Sequence, residues 1–385
     1  MARYEALTWD HPRGCNALAA AAARLDADRD GLSIRWDKQP LEGFESAPIA
    51  DLCARYDLVV LDHPHVGEAV DADCLVPLEQ VFAPEIIADL EAATIGPCLS
   101  SYRFAGRHWA LPLDAATQVM AARGDLLDGA PSPVTWDEVV ALSRATGKVA
   151  LSLAGPHAIL SFLSAATALG EPPAERDPDV LVSTATGARV YELLADLASR
   201  SPPSVASLNP IGILGHMAAA DDVALCPLIY GYVNYAAPGD GAKPIRFTDV
   251  PRQIASGRPG STLGGTGIGV SRRCDVTPEL KRHLLWLMGE EAQVRFIPAH
   301  DGQPSRRSAW ADEAVNARWG GFYRHTEATL EAAYVRPRHA GYIAFQGKAS
   351  ALLREAFAER RKAGPVLDDL QALYRESRPA RGAER

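Results

Sequence analysis

Four short stretches place hydrogen-bonding and aromatic side chains directly behind apolar runs: Trp9-Asp10-His11-Pro12-Arg13-Gly14, Asp62-His63-Pro64-His65, Ala154-Gly155-Pro156-His157 and Tyr230-Gly231-Tyr232-Val233-Asn234. Asp10 and Asp62, with Asp114 further along, can accept hydrogen bonds from ligand hydroxyls. The rings of Trp9, Tyr230 and Tyr232 offer faces on which a sugar can stack. One histidine in such a place reads as an ordinary loop residue. Four loops behind strand ends, the edge where α/β sheets bind ligands, read as one shared cleft that includes His11, His63, His157 and Asn234. His11 beside Asp10 and His63 beside Asp62 also suggest acid–base pairs. Neighbours in an extended segment point opposite ways, however, so each partner would have to come from across the cleft.

The elements that position these residues alternate. Strands are expected at Tyr4–Trp9, Leu32–Trp36 and Leu58–Asp62, the last a continuous apolar run of the buried parallel type. Helices are expected at Asn16–Leu25, Pro48–Arg55 and 76–95. Beyond Asp114 come a strand at Val149–Leu153, helices at Ala158–Leu169, Gly187–Ala198 and Ile211–Ala220, and strands at Val223–Tyr230 and Phe247–Val250. Helix Pro278–Glu291 follows, then a mostly helical stretch, Ala311–Ala363, and a frayed tail from Ser377. Short strands alternating with helices indicate an α/β class.

Composition narrows the function. A chain of 385 residues, 47% hydrophobic and 23% charged, is an ordinary globular protein, and its length exceeds what one core of ~250–300 residues supports. The net charge of −9 argues against nucleic acid as a partner. Residues 354–362 are basic but interrupted by carboxylates, so they read as a solvated helix face. Six cysteines, at 15, 53, 74, 98, 226 and 274, lack zinc or redox spacing and suit a reducing compartment. Neither a metal nor a cofactor is expected. Met1-Ala-Arg-Tyr-Glu5 runs into a strand without the basic and apolar regions of a leader. The sequence as it stands is therefore expected in the cytoplasm, and in the periplasm if a leader has been removed. Gly265-Thr266-Gly267-Ile268-Gly269 imitates a dinucleotide fingerprint, but no helix opens at its third glycine. Gly265 and Thr266 read instead as a close backbone approach to a ligand or a tight turn.

The most specific stretch is 108–140. Trp109-Ala-Leu-Pro-Leu113 ends in Asp114, and after an apolar run and a Gly/Pro turn, Pro133-Val-Thr-Trp-Asp-Glu-Val-Val140 opens a helix. Thr135 can cap it, with Glu138 as capping-box partner and Asp137 and Glu138 at the positive end of the dipole. This order resembles the lobe crossover of the extracellular solute-binding proteins, the maltose-binding-like receptors of ABC importers. Gly260–Ser271 resembles that family's returning strand. The resemblance implies the periplasmic-binding-protein type II fold: two lobes joined by a multi-crossing hinge, with a ligand cleft between them. Lobe I would take 1–113 and 260–305, and lobe II 114–259 and 306–385. It also implies a small-molecule ligand, closure by hinge motion, a monomer and an importer permease as partner. Arg336 would approach the ligand from the last lobe-II segment and clamp a carboxylate through its fork. With only 7% aromatics, a monosaccharide, polyol or sugar acid fits better than a long oligosaccharide. The alternative is a cytoplasmic enzyme on the same fold, working on a small polar or acidic metabolite with Asp/His acid–base residues, since thiaminase-type proteins use this fold for catalysis.

Overall fold

The computed structural model describes residues 2–28, 31–127, 131–237, 239 and 241–378. Two sheets organise it. The first has the order β2-β1-β3-β10-β6, built from β1 (Ala2–Trp9), β2 (Leu32–Gln39), β3 (Leu58–Leu61), β6 (Leu111–Asp114) and β10 (Thr266–Val270). β1 runs parallel to β2 and β3, whereas β10 is antiparallel to β3 and β6. All four side chains of β3 are buried, as its unbroken apolar run requires. A small hairpin, β4 (Arg103–Phe104) with β5 (Arg107–His108), precedes β6. The second sheet is antiparallel, in the order β8-β7-β9: β7 (Gln118–Ala122), β8 (Leu225–Tyr230) and β9 (Arg246–Thr248).

Helices cover both sheets. Around the first lie α1 (Pro12–Asp28), α2 (Leu41–Ser46), α3 (Ile49–Arg55), α4 (Val66–Asp71) and α5 (Pro84–Ala93). α1 turns Ala17, Leu18, Ala21 and Leu25 into the core at helical spacing. With the second sheet come α6 (Trp136–Thr146), α7 (His157–Ala168), α8 (Thr184–Ala198) and α9 (Pro210–Ala219). After β10 follow α10 (Pro278–Met288), a π-helical turn (Glu291–Phe296) entering α11 (Ile297–Ala299), α12 (Arg307–Ala311), α13 (Glu313–Arg318), α14 (Phe322–Glu331), α15 (Tyr342–Ala358) and α16 (Ala363–Ser377). The core around the first sheet continues into Ile229 and Phe247 of the second. α6, α7, α8, α15 and α16 share a separate core.

Local rules account for most boundaries. The capping box on α6 is formed: Thr135 Oγ1 accepts from the Glu138 amide, and the Glu138 carboxylate accepts from the Thr135 amide at 2.9 Å. Gly147 ends that helix in the left-handed region. The expected helix 76–95 is broken, because Pro84 suits only a first turn and starts a new helix there. Val149–Leu153 is not a strand; it touches β8 through a single parallel bridge, Val149 to Leu225. β7 was hidden inside the apolar run after Asp114. The stretch 311–363 breaks into several helices, and α16 extends past its expected end. Residues 379–385 of the expected tail lie outside the described residues.

The sheets are joined where the segments at 114–117, 262–263, 304 and 334 run side by side. Asp114 pairs with Pro304, Thr117 with Leu263, and Thr262 with Tyr334. Gln303 binds this bundle internally: its backbone carbonyl accepts from the Ala115 amide (3.0 Å), its side-chain amide donates to Ala115 O (3.0 Å), and its Oε1 accepts from the Val233 amide (2.8 Å).

Residues 338–340 lie against α4 so closely that a Cβ on Gly67 would meet the Arg338 carbonyl oxygen at 1.8 Å. Gly67→Ala should therefore lower the unfolding free energy by about 1–3 kcal/mol, measured by urea denaturation. A wild-type midpoint would mean that this backbone contact does not hold the segment.

Candidate functional site

The first sheet delivers Asp62 at the end of β3, with His63 and His65 on the 3-10 turn that follows. The Asp62 side chain accepts from the His63 amide (2.8 Å) and receives a hydrogen bond from Arg336. Arg336 also donates to Gln346 of α15 at 3.0 Å, so its fork ties the end of β3 to that helix. Burial pushes the Asp62 carboxyl up, but the Arg336 charge outweighs it and holds the group well below the ordinary range. Arg336 is buried with a raised pKa, because its pairing with Asp62 overcomes its desolvation.

Around this pair stand polar groups without partners. The imidazole nitrogens of His65 and His157, Nε2 of His63, Nε of Arg336 and the Tyr342 hydroxyl are buried and make no hydrogen bond. His63 Nδ1 lies 3.1 Å from Asp62 Oδ1, but not aligned as a hydrogen bond. His157, on the first turn of α7, packs edge-on against Tyr230 (5.8 Å between centroids) and faces Glu45 of α2, with Nε2 3.6 Å from Oε1. Burial, reinforced by Arg336, keeps these rings neutral: His63 falls to about 4, His157 to about 3, and His65 is lowered too. The Glu45 carboxyl is pushed up to about 8 by burial and by the Asp62 carboxylate.

A second cluster adjoins through Phe44 and Glu45. Arg13 grips Asp114 with two nitrogens, donates to Gly231 O at 3.1 Å, and lies over the rings of Trp9 (5.5 Å) and Tyr232 (4.9 Å). His11 stacks on Trp9 at 5.3 Å, and Phe44 closes the group at 5.9 Å from Trp9. Burial and the Arg13 charge lower the His11 pKa to about 4.

The residues singled out in the sequence are thus distributed unevenly. Asp62, His63, His157, Tyr230 and Arg336 meet in one cluster, and Trp9, His11, Tyr232 and Asp114 in the adjoining one. Asp114 is engaged by Arg13, and Thr266 pairs with it at the start of β10. Gly265 takes φ +85°, and a Cβ there would lie 2.4 Å from the Asp114 carbonyl oxygen, so it makes a turn against that strand. Asn234 is half-buried with Oδ1 unpartnered. Asp10 points to solvent and pairs with Lys38 at 3.0 Å. Arg336, expected to be free for a ligand carboxylate, is instead paired with Asp62. Sequence reasoning did not nominate Arg13, Glu45, His65 or Tyr342. Arg13 and His65 sat inside two of the quoted loops, whereas nothing near Glu45 or Tyr342 signalled a site. All six cysteines are free, and no group of metal-ligating side chains assembles among the described residues.

The neutral imidazoles predict a pH dependence. An unfolded histidine titrates near ~6.5, and His11, His63 and His157 in the fold only at about 4 or 3. Their contribution to stability is complete above ~6.5 and is lost as the pH falls through the folded values, because the unfolded chain takes up protons first. Glu45 acts oppositely, losing stability between ~4.5 and about 8 as the pH rises. Below ~6.5 the histidines outnumber it, so the urea midpoint should fall steadily from pH 6.5 to pH 4. A flat profile would show that these rings are not buried neutral.

The fold has solved counterparts. A solute-binding protein of an Agrobacterium radiobacter ABC transporter, in complex with ribitol, superposes with a TM-score of 0.80 at 20% identity, covering 97% of this chain and 98% of that one. Maltose-bound MalE3 of T. maritima gives 0.79 at 16% identity, over 98% and 100%. A further ABC-transporter solute-binding protein, from Agrobacterium vitis with bound D-mannitol, gives 0.75 at 15%, over 98% of each chain. At these identities the likeness concerns the two-lobed fold. Among curated proteins none matches the sequence. Residues 45–320, however, match the model of the bacterial extracellular solute-binding proteins. That stretch includes strands of both sheets and the joining segments at 114–117, 262–263 and 304, and by it this chain belongs to the bacterial extracellular solute-binding protein family.

Proposed function

We propose that the protein captures one small polyhydroxylated molecule, a monosaccharide or polyol, between lobe I (1–113 and 260–305) and lobe II (114–259 and 306–385). The observation that carries this reading is the group of buried, unpartnered polar atoms on His63, His65, His157, Arg336 and Tyr342. Each such atom costs ~1–3 kcal/mol while unsatisfied, and a ligand bearing several hydroxyls supplies both donors and acceptors. Tyr230, Tyr232 and Trp9 add ring faces for the carbon skeleton. A sugar acid is less well served, because the Arg336 fork is already divided between Asp62 and Gln346. Ribitol and D-mannitol in two structural counterparts support the polyol class. The lobes would close by rotation about the bundle at 114–117, 261–265 and 303–305. We infer that it acts as a monomer outside the cytoplasmic membrane and hands its ligand to an importer permease; no described helix is long and apolar enough to cross a membrane itself. The enzymatic alternative draws on the raised carboxyl of Glu45, yet its expected acid–base pairs have other partners: Asp10 holds Lys38 and Asp62 holds Arg336.

Tyr342→Phe separates a binding role from a structural one. Its hydroxyl has no partner within the protein, so removal should leave the ligand-free melting temperature unchanged or raise it. The same change should weaken a polyol found by thermal-shift screening, ribitol and D-mannitol first, by up to about tenfold in calorimetry. Unchanged affinity with lower stability would remove Tyr342 from the site.

A further inference from the structure

The charges that face the cleft do not balance. Three carboxyls, Glu45, Asp62 and Asp114, stand against two guanidiniums. Arg13 is matched to Asp114 and Arg336 to Asp62. Two further guanidiniums lie nearby, but they hydrogen-bond only to backbone carbonyls, Arg338 to those of Ser100, Ser101 and Arg103 and Arg354 to those of Leu153 and Gly155, and neither is among the charges that act on Glu45. The groups that act on Glu45 are Asp62, Arg336, its helix neighbour Glu42, the hydroxyls of Tyr230 and Tyr232 and, opposite, His157. Only Arg336 is cationic, and it is already bound. Glu45 is partly buried: 22% of its side chain is exposed, and its carboxyl lies 3.6 Å from His157 on the first turn of α7. The histidines nearby stay neutral, so each presents one nitrogen lone pair to whatever enters.

Building on the polyol reading, we propose that the ligand carries an amino group, as in an amino sugar or aminated polyol, and that Glu45 is the residue that recognises it. An ammonium has three donors and no acceptor, matching one carboxylate and lone pairs on the neutral imidazoles around it. It also supplies the missing positive charge. Without it, Glu45 relieves the imbalance by keeping its proton, with a pKa of about 8. The ammonium displaces that proton, which leaves to solvent as the carboxylate forms. A neutral polyol leaves it in place.

Sorbitol and glucamine, identical except that one terminal hydroxyl becomes an amine, are the probes. Calorimetry at pH 7 in buffers of different ionisation heat reads both affinity and protons released. Glucamine should bind roughly ten- to hundredfold more tightly than sorbitol and release about one proton per molecule bound, whereas sorbitol releases none. In Glu45→Gln the affinity ratio should fall to near unity and the proton release should vanish. The proton count on the wild-type protein stands as evidence even if that variant folds poorly. Equal binding of the two probes, or amine binding without proton release, overturns the amino-group assignment and leaves the polyol reading intact. If neither probe binds and ribitol and D-mannitol also fail, the polyol reading falls and this one with it.

Discussion

The buried pair of Asp62 and Arg336 is the constraint on which the surrounding polar cluster is built. Asp62 ends a strand of the first sheet; Arg336 belongs to a segment fastened to α15, which packs with the helices of the second sheet. A buried ion pair gains little over a well-packed apolar alternative, but losing one member strands the other at a cost of ~3–5 kcal/mol. The pair therefore acts as a geometric specification more than a source of stability. Burial keeps His63, His65 and His157 neutral, and the Arg336 charge adds to it while Asp62 works against it at His63 and His65.

Much of the fold could be read from the chain because its signals are local. The unbroken Leu58-Val59-Val60-Leu61 run marks a strand buried on both faces, and Thr135 with Glu138 marks a helix start, whatever the rest of the protein does. The elements misjudged are those decided by distant partners. β7 is a strand because Gln118–Ala122 lies between β8 and β9. Val149–Leu153 has a strand's composition but only one bridge to β8. Pro84 is a local signal that the hydrophobic periodicity of 76–95 masked.

The candidate site was legible to a similar depth. Loops behind strand ends pointed to one edge of the sheets, and there Asp62, His63, His157, Tyr230 and Arg336 do converge. What the chain alone cannot display is which charges neutralise one another. Asp114 and Arg13 are 101 residues apart, and Asp62 and Arg336 are 274 apart. Those matches tie down three apparent ligand contacts, Asp62, Asp114 and Arg336, and leave Glu45 and Tyr342, which no motif marks, as the less committed groups.

Gln303 lends the bundle between the sheets a property beyond strength. One buried side chain fastens Ala115 on the outgoing segment and Val233 beyond β8, so bending the passage must disturb both bonds together. Apparent affinity equals intrinsic affinity scaled by the fraction of molecules already competent to bind. A residue at this position can thus retune how tightly a solute is held without touching it, by shifting the balance between open and shut forms. Selection acting on uptake at different nutrient concentrations would then have a dial set apart from the specificity of the pocket.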